Sequence, residues 1–246
     1  MTILNTISSK SNSIAVLIDP EKSDNGPFLL ELLKKATFAG IDYIFIGGST
    51  VTRVQFNLTV DFIKEHSTIP LIIFPGSSNQ ISPKADGLLY LSLLSGRNPD
   101  YLIGHHIESA AELIQMDLEI IPTAYLLIDG GTQSSVAYVS QTTPIPRDKI
   151  SIVKNTAIAG KLQGKKVLYL DAGSGAKYSV PVEIISSIRE LNLPIIIGGG
   201  IKTIEQIQNC HSAGASIVVI GNKLEEDSDF LLDIHTYKNA RLLKAK

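Results

Sequence analysis

Short runs of aliphatic and β-branched residues alternate along the chain with longer stretches in which apolar positions recur every three or four residues. The short runs predict strands at 14–19, 43–47, 71–74, 88–91, 121–128, 167–171, 195–198 and 217–221. They are nearly continuous in apolar character, as expected of parallel strands covered on both faces. The longer stretches predict helices at 28–39, 51–66, 99–116, 150–162, 180–191, 203–213 and 230–243. Such alternation reads as repeated βα units. Eight parallel strands in 246 residues predict an α/β fold, a closed (β/α)8 or TIM barrel, with residues 1–246 as one domain.

Two intervals break the pattern. Between the third and fourth strands stands only PGSSNQISPKAD, residues 75–86, whose two prolines and turn formers leave no room for a helix of normal length. The barrel is therefore modified, its third outer helix replaced by a loop. That replacement either leaves an apolar groove on the flank, suited to a long hydrocarbon ligand, or merely covers the gap. The second interval, residues 129–149, is long for a βα loop and lies on the C-terminal face, where barrel enzymes carry their sites.

Composition narrows the function classes. With 22 Lys and Arg against 24 Asp and Glu and no basic run, the chain lacks the electrostatic footprint of a nucleic-acid binder. Cys210 is the only cysteine, which excludes an intrachain disulfide and a cysteine-based zinc site, and its helical position predicts burial. No apolar run approaches a membrane span, and the opening MTILNTISSK has no export signal, so the expected setting is cytoplasmic.

Candidate chemistry lies at the strand ends. The last three strands run into YLDAGSGA, IIIGGGIKT and IVVIGN, and glycine-rich turns in adjacent loops form a backbone-amide cradle for a phosphomonoester, unless they serve only as tight turns. The first two strands end in LIDPEK and IFIGGST. Asp19 offers a hard oxygen, Ser49 a hydroxyl and Gly48 a free amide, a set suited to Mg2+ carrying a diphosphate, with Lys22 adding a charge. An Asp-Pro pair can equally just begin a turn. His105 and His106 are adjacent on a helix and so do not face each other; they are expected to pack or make polar contacts rather than bind metal.

Read in order, IDPEK, GGST, IFPGS, YLIGHHIES, PTAYLLIDGGTQSSV, PIPRDK, YLDAGSGA, IGGGI and VVIGN resemble the geranylgeranylglyceryl phosphate synthases, the PcrB-like prenyltransferase family, along nearly the whole chain. DAGSG and PTAYLLIDGG are more similar to the mostly oligomeric branch of that family than to its short bacterial branch. The resemblance implies a TIM barrel without its third helix and transfer of a prenyl group from geranylgeranyl diphosphate to sn-glycerol 1-phosphate, the first ether bond of an ether phospholipid. It implies Mg2+ as cofactor, with Asp19 and Ser49 as ligands, beside the Lys22 and Gly48 already read as diphosphate contacts. It further implies a glycerol-phosphate site made of Tyr169, Leu170, Asp171, Ala172, Gly173, Ser174, Gly175, Gly199, Gly200, Gly221 and Asn222, and a homo-oligomer. The alternatives are a sugar-phosphate isomerase or lyase on the same cradle, or an inactive barrel that only binds phosphates.

One position departs from the family pattern: the motif is expected as YLEAGSG, and here the acid is Asp171, one methylene shorter. Tyr169 and Asp171 share a strand face, which at the C-terminal end looks into the mouth of the barrel. Asp171 is the only carboxylate on the three phosphate-gripping strands. It is expected to act as general base, with Tyr169 orienting the hydroxyl or shielding an allylic cation.

Overall fold

Eight parallel strands, β1 (Ser13–Ile18), β2 (Tyr43–Ile46), β3 (Leu71–Ile73), β4 (Gly87–Leu93), β5 (Glu119–Leu127), β6 (Val167–Asp171), β7 (Ile195–Gly198) and β8 (Ile217–Ile220), pair in sequence order, and β8 returns to β1. The barrel is closed, as the alternation of strands and helices predicts. This computed structural model describes residues 2–23 and 26–244. The strand limits at 167–171 and 195–198 coincide with those read from the sequence; the others shift by one or two residues at an end.

Side chains alternate between two layers, as the two-residue strand period requires. Ala15, Phe45, Ile72, Leu89, Tyr125, Tyr169, Ile196 and Val219 fill the barrel interior. Val16, Ile44, Leu126, Leu168, Leu170, Ile197 and Val218 face outward into the helical layer. Each fully buried aliphatic side chain contributes roughly 1.5–3 kcal/mol, so both layers hold the strand ends rigidly.

The helices are α1 (Ile3–Ser9), α2 (Pro27–Phe38), α3 (Arg53–His66), α4 (His105–Leu113), α5 (Ser135–Val139), α6 (Ile150–Leu162), α7 (Val182–Ile188), α8 (Ile204–Ala213), α9 (Asn222–Glu226) and α10 (Phe230–Lys244). No helix lies between β3 and β4. The helix expected at 99–116 instead begins with a π-helical turn, Asp100–Gly104, and then runs as α4 to Leu113; the one expected at 180–191 starts after Pro181 and ends in a 3-10 turn, Arg189–Leu191. Three helices have no counterpart in the sequence reading. α1 caps the N-terminal end of the barrel, with Ile7 in the interior cluster and Glu119 accepting from the amide of Leu4 at 2.9 Å. α5 lies within the long loop 129–149, and α9 follows β8 at once. Cys210 is buried as expected, and burial pushes its thiol up to about 11. Among the described residues, no helix is long and apolar enough to cross a membrane.

Candidate active site

The C-terminal strand ends converge on one cleft of about 310 Å³. At its floor, β6 turns Tyr169 and Asp171 inward, while Leu170 points into the outer layer. Leu170 and Ala172, both candidate substrate contacts by sequence, place their side chains in the outer core, as strand alternation requires, and neither they nor Gly173 line the cleft. Asp171 is buried, its Oδ2 accepting from the Tyr125 hydroxyl at 2.6 Å and its Oδ1 from the Gly173 amide at 2.8 Å. Burial pushes its carboxyl up from the ordinary range, and the two hydrogen bonds oppose that shift only in part. Burial and the neighbouring carboxylate push the Tyr125 and Tyr169 phenols well up, so both remain protonated donors.

Three aromatic rings form the wall beside this acid. Phe74 stacks on Tyr169 at 4.7 Å between centroids, and Tyr125 meets both edge-on, at 5.5 Å from Tyr169 and 5.6 Å from Phe74. Ring faces so placed attract a cation more than an uncharged carbon.

On one side of the acid, the loops after β6, β7 and β8 pack backbone against backbone. Gly199 has φ +79°, and a Cβ there would lie 2.7 Å from Asp171 Oδ1 and 2.7 Å from the Gly173 amide, so neither its conformation nor its surroundings admit a side chain. Asn222 ties the loops together: its Oδ1 accepts from the Gly175 amide at 2.9 Å and from Ser174 Oγ at 3.0 Å. Ser174, Gly175, Gly199, Gly200, Gly221 and Asn222 all line the cleft.

The other side is built from β1 and β2. Asp19 follows β1, and its Oδ1 accepts from the Glu21 amide at 3.1 Å. Burial pushes its carboxyl up, while that amide and Lys22 pull the other way. A Cβ on Gly48 would stand 2.6 Å from Asp19 Oδ1, so the glycine keeps the space beside the carboxylate open. Gln80, fully buried in the loop that replaces the third helix, fixes that glycine: its Nε2 donates to the Gly48 carbonyl at 2.8 Å, and its Oε1 accepts from the Gly76 amide at 3.0 Å. Ser49 lines the cleft beside it. Lys22 is held by Glu225, at 3.0 and 3.1 Å to its two oxygens.

Among the described residues, no group of three or more His, Cys, Asp or Glu could cage a metal ion. Asp19 with an open space beside it fits a hard cation that takes its other ligands from substrate oxygens and water, the usual situation of Mg2+ on a diphosphate. The charge of the lining argues the same way. Five acids face the cleft (Asp19, Glu21, Asp171, Glu225 and Glu226) against three lysines (Lys22, Lys202 and Lys223), too few to neutralise a phosphate and a diphosphate.

Beyond Phe74 the cleft continues outward as an apolar groove between the 75–86 loop and α4, walled by Ile81, Leu88, Tyr90, Leu91 and Leu113. Of the two outcomes open for the missing helix, the groove is the one observed. His106 donates from Nε2 to the Leu91 carbonyl at 2.7 Å, stacks on Tyr90 at 4.0 Å, and is kept neutral by burial. His105 meets Tyr101 edge-on at 4.9 Å. Both histidines line the groove.

The PcrB family model matches residues 7–239. A geranylgeranylglyceryl phosphate synthase of Zunongwangia profunda is 50% identical over 215 residues, covering 86% of this chain and 90% of that one. One from Chitinophaga pinensis is 46% identical over 224 residues, covering 90% and 88%. A crystal structure of (S)-3-O-geranylgeranylglyceryl phosphate synthase from Thermoplasma acidophilum, in complex with substrate sn-glycerol-1-phosphate, is similar over 96% of both chains, with a TM-score of 0.89 and 33% identity.

Proposed function

The chain belongs to the PcrB family, and we propose that it is a geranylgeranylglyceryl phosphate synthase: a prenyltransferase that forms an ether between sn-glycerol 1-phosphate and geranylgeranyl diphosphate, releasing diphosphate. One observation carries this reading. A single cleft joins an amide cradle, a buried carboxylate, an acid with an open cation position, and an apolar groove outside the barrel wall. A phosphorylated alcohol and a long prenyl diphosphate are the two ligands that use all four.

With glycerol phosphate on the cradle, its 3-hydroxyl lies against Asp171. The C1–oxygen bond to diphosphate breaks with its electron pair leaving on diphosphate, the glycerol oxygen bonds C1, and its proton passes to Asp171. Burial raises the Asp171 carboxyl above the ordinary carboxylate range, the direction that makes it a stronger proton acceptor. Cationic character at C1 develops before the faces of Phe74, Tyr125 and Tyr169. Asp19, with Ser49 beside it, would hold Mg2+, which supplies charge neutralisation to the departing diphosphate. The prenyl tail lies in the groove, where hydrocarbon is shielded from water.

An isomerase or lyase is less well supported. The three lysines facing the cleft come from loops and from α9, and among the described residues no strand presents an amine for a Schiff base. A homo-oligomer and a cytoplasmic setting belong to the same proposal. Val54 and Leu58 on α3, Ile107 on α4 and Ile114 just past its end are exposed apolar side chains, on helices joined by the Arg53–Glu112 ion pair, and suit a subunit contact that light scattering would detect. The test of function is incubation with labelled sn-glycerol 1-phosphate and prenyl diphosphates of C15 to C35. Ether product, greatest with the C20 diphosphate, is expected. No product with any chain length would reject the function, and a preference for C15 or C35 would reject the C20 assignment.

A further inference from the structure

The two residues that suit Mg2+ stand on different loops, Asp19 after β1 and Ser49 after β2. How far apart they lie depends on what ties those loops together. Asp19 is fixed from its own side: its carbonyl accepts from the amides of Lys22 at 3.0 Å and Ser23 at 3.1 Å, and its Oδ1 from the amide of Glu21 at 3.1 Å. On the other loop, Gln80 holds Gly48, and Thr52 closes a capping box at the start of α3. Ser49 and Thr50 lie between these two anchors. Among the described residues this pair makes a single hydrogen bond, in which Thr50 Oγ1 donates to Glu21 Oε2 at 2.6 Å.

Glu21 therefore grips both loops. Its backbone amide holds the Asp19 carboxylate, and its side chain holds the residue next to Ser49. Asp19, Glu21, Ser49 and Thr50 all line the cleft. Mg2+ demands near-ideal octahedral geometry, so two ligands on separate loops bind it best when their spacing is set in advance. Groups behind the ligands commonly supply that spacing.

We infer that Glu21 is a positioning residue for the cation: clipped to Thr50, it sets the spacing of Asp19 and Ser49. The inference rests on the Mg2+ reading of this side of the cleft. Glu21 and Thr50 are both exposed, so the clip belongs at the low end of what a hydrogen bond contributes, a factor of about three in affinity.

The experiment is titration calorimetry of the full chain with Mg2+–pyrophosphate and, separately, with pyrophosphate in EDTA. Wild type should bind the magnesium complex more tightly than the bare anion. Thr50→Val removes the hydroxyl and keeps the shape; it should weaken binding of Mg2+–pyrophosphate by about threefold and leave binding in EDTA unchanged. Thr50→Ser, which keeps the hydroxyl, should bind as wild type does. In a Glu21→Ala background no clip exists, and Thr50→Val should there change nothing further. Wild-type affinity in Thr50→Val would overturn the inference. So would an equal loss in the Glu21→Ala background, which would make Thr50 a direct contact, or an equal loss in EDTA, which would make the clip serve the anion. If Mg2+ did not strengthen pyrophosphate binding to wild type, the metal reading would fall first and the role of Glu21 with it.

Discussion

The Tyr125 hydroxyl donates to Asp171 Oδ2 across 2.6 Å, and both residues are buried on adjacent strands. This bond pulls the Asp171 carboxyl down against the upward push of burial. Tyr125→Phe removes the pull and leaves the push, so the carboxyl titrates higher. A general base works deprotonated, and the acid limb of the kcat/KM profile should therefore move to higher pH in the variant. An unmoved limb would mean that Tyr125 only fills space.

Asp171→Asn keeps the shape of the side chain and removes its capacity to take a proton. It should lower kcat by roughly 10²- to 10⁴-fold and leave the affinity for glycerol phosphate nearly unchanged. Asp171→Glu restores the longer acid expected in the family motif and should keep substantial activity. Weaker glycerol-phosphate binding with an intact kcat would instead make Asp171 a binding contact.

Asp19 is the acid beside the open position that Gly48 preserves. Chelation of divalent ions should abolish wild-type turnover, and Mg2+ should restore it. Asp19→Ala should lose most of its turnover even at high Mg2+, since a single carboxylate anchors the ion. Retained turnover in the chelated variant would refute the metal assignment.

His211 gives a prediction about stability rather than rate. Burial lowers its imidazole from 6.5 to about 4; Arg241 and Lys238 push the same way, while the Ser13 carbonyl, at 3.1 Å from Nε2, and Asp42 oppose. The folded-state value lies below the unfolded one, so between those two values the unfolded chain binds more protons than the folded chain. Stability from this residue is present above 6.5 and is lost as pH falls towards 4, by about 3 kcal/mol at most. Urea midpoints should fall over that interval in the wild type, and His211→Gln should flatten the dependence.

Much of this architecture is legible in the sequence. The runs Val167–Asp171 and Ile195–Gly198 ended where they were read because each is a buried apolar strand stopped by small residues. The gap at 75–86 announced itself through its prolines. The misses share a physical cause. Gln80 sits among turn formers and reads as solvated, yet it is fully buried, because its amide satisfies two glycine backbones that are distant in sequence or hidden by the turn. Tyr125 was placed on its strand, but its partner lies 46 residues away. Helices α1, α5 and α9 are short, and such pieces are held by what they pack against rather than by their own pattern. Phe74 carries no signal of its role until the ring of Tyr169 lies parallel to it.

The two ends of the cleft are made of different material. The headgroup end is largely backbone, and at Gly199 a Cβ would stand 2.7 Å from its neighbours. The tail end is a wall of side chains, among them Ile81, Leu88 and Leu113. A substitution in the wall trades one hydrocarbon outline for another and leaves the frame standing, whereas a substitution at Gly199 displaces the frame itself. Mutational drift therefore has somewhere to go at one end and nowhere at the other: the length and branching of the lipid can be retuned one residue at a time, while the polar half of the molecule stays fixed by a shape that no side chain wrote.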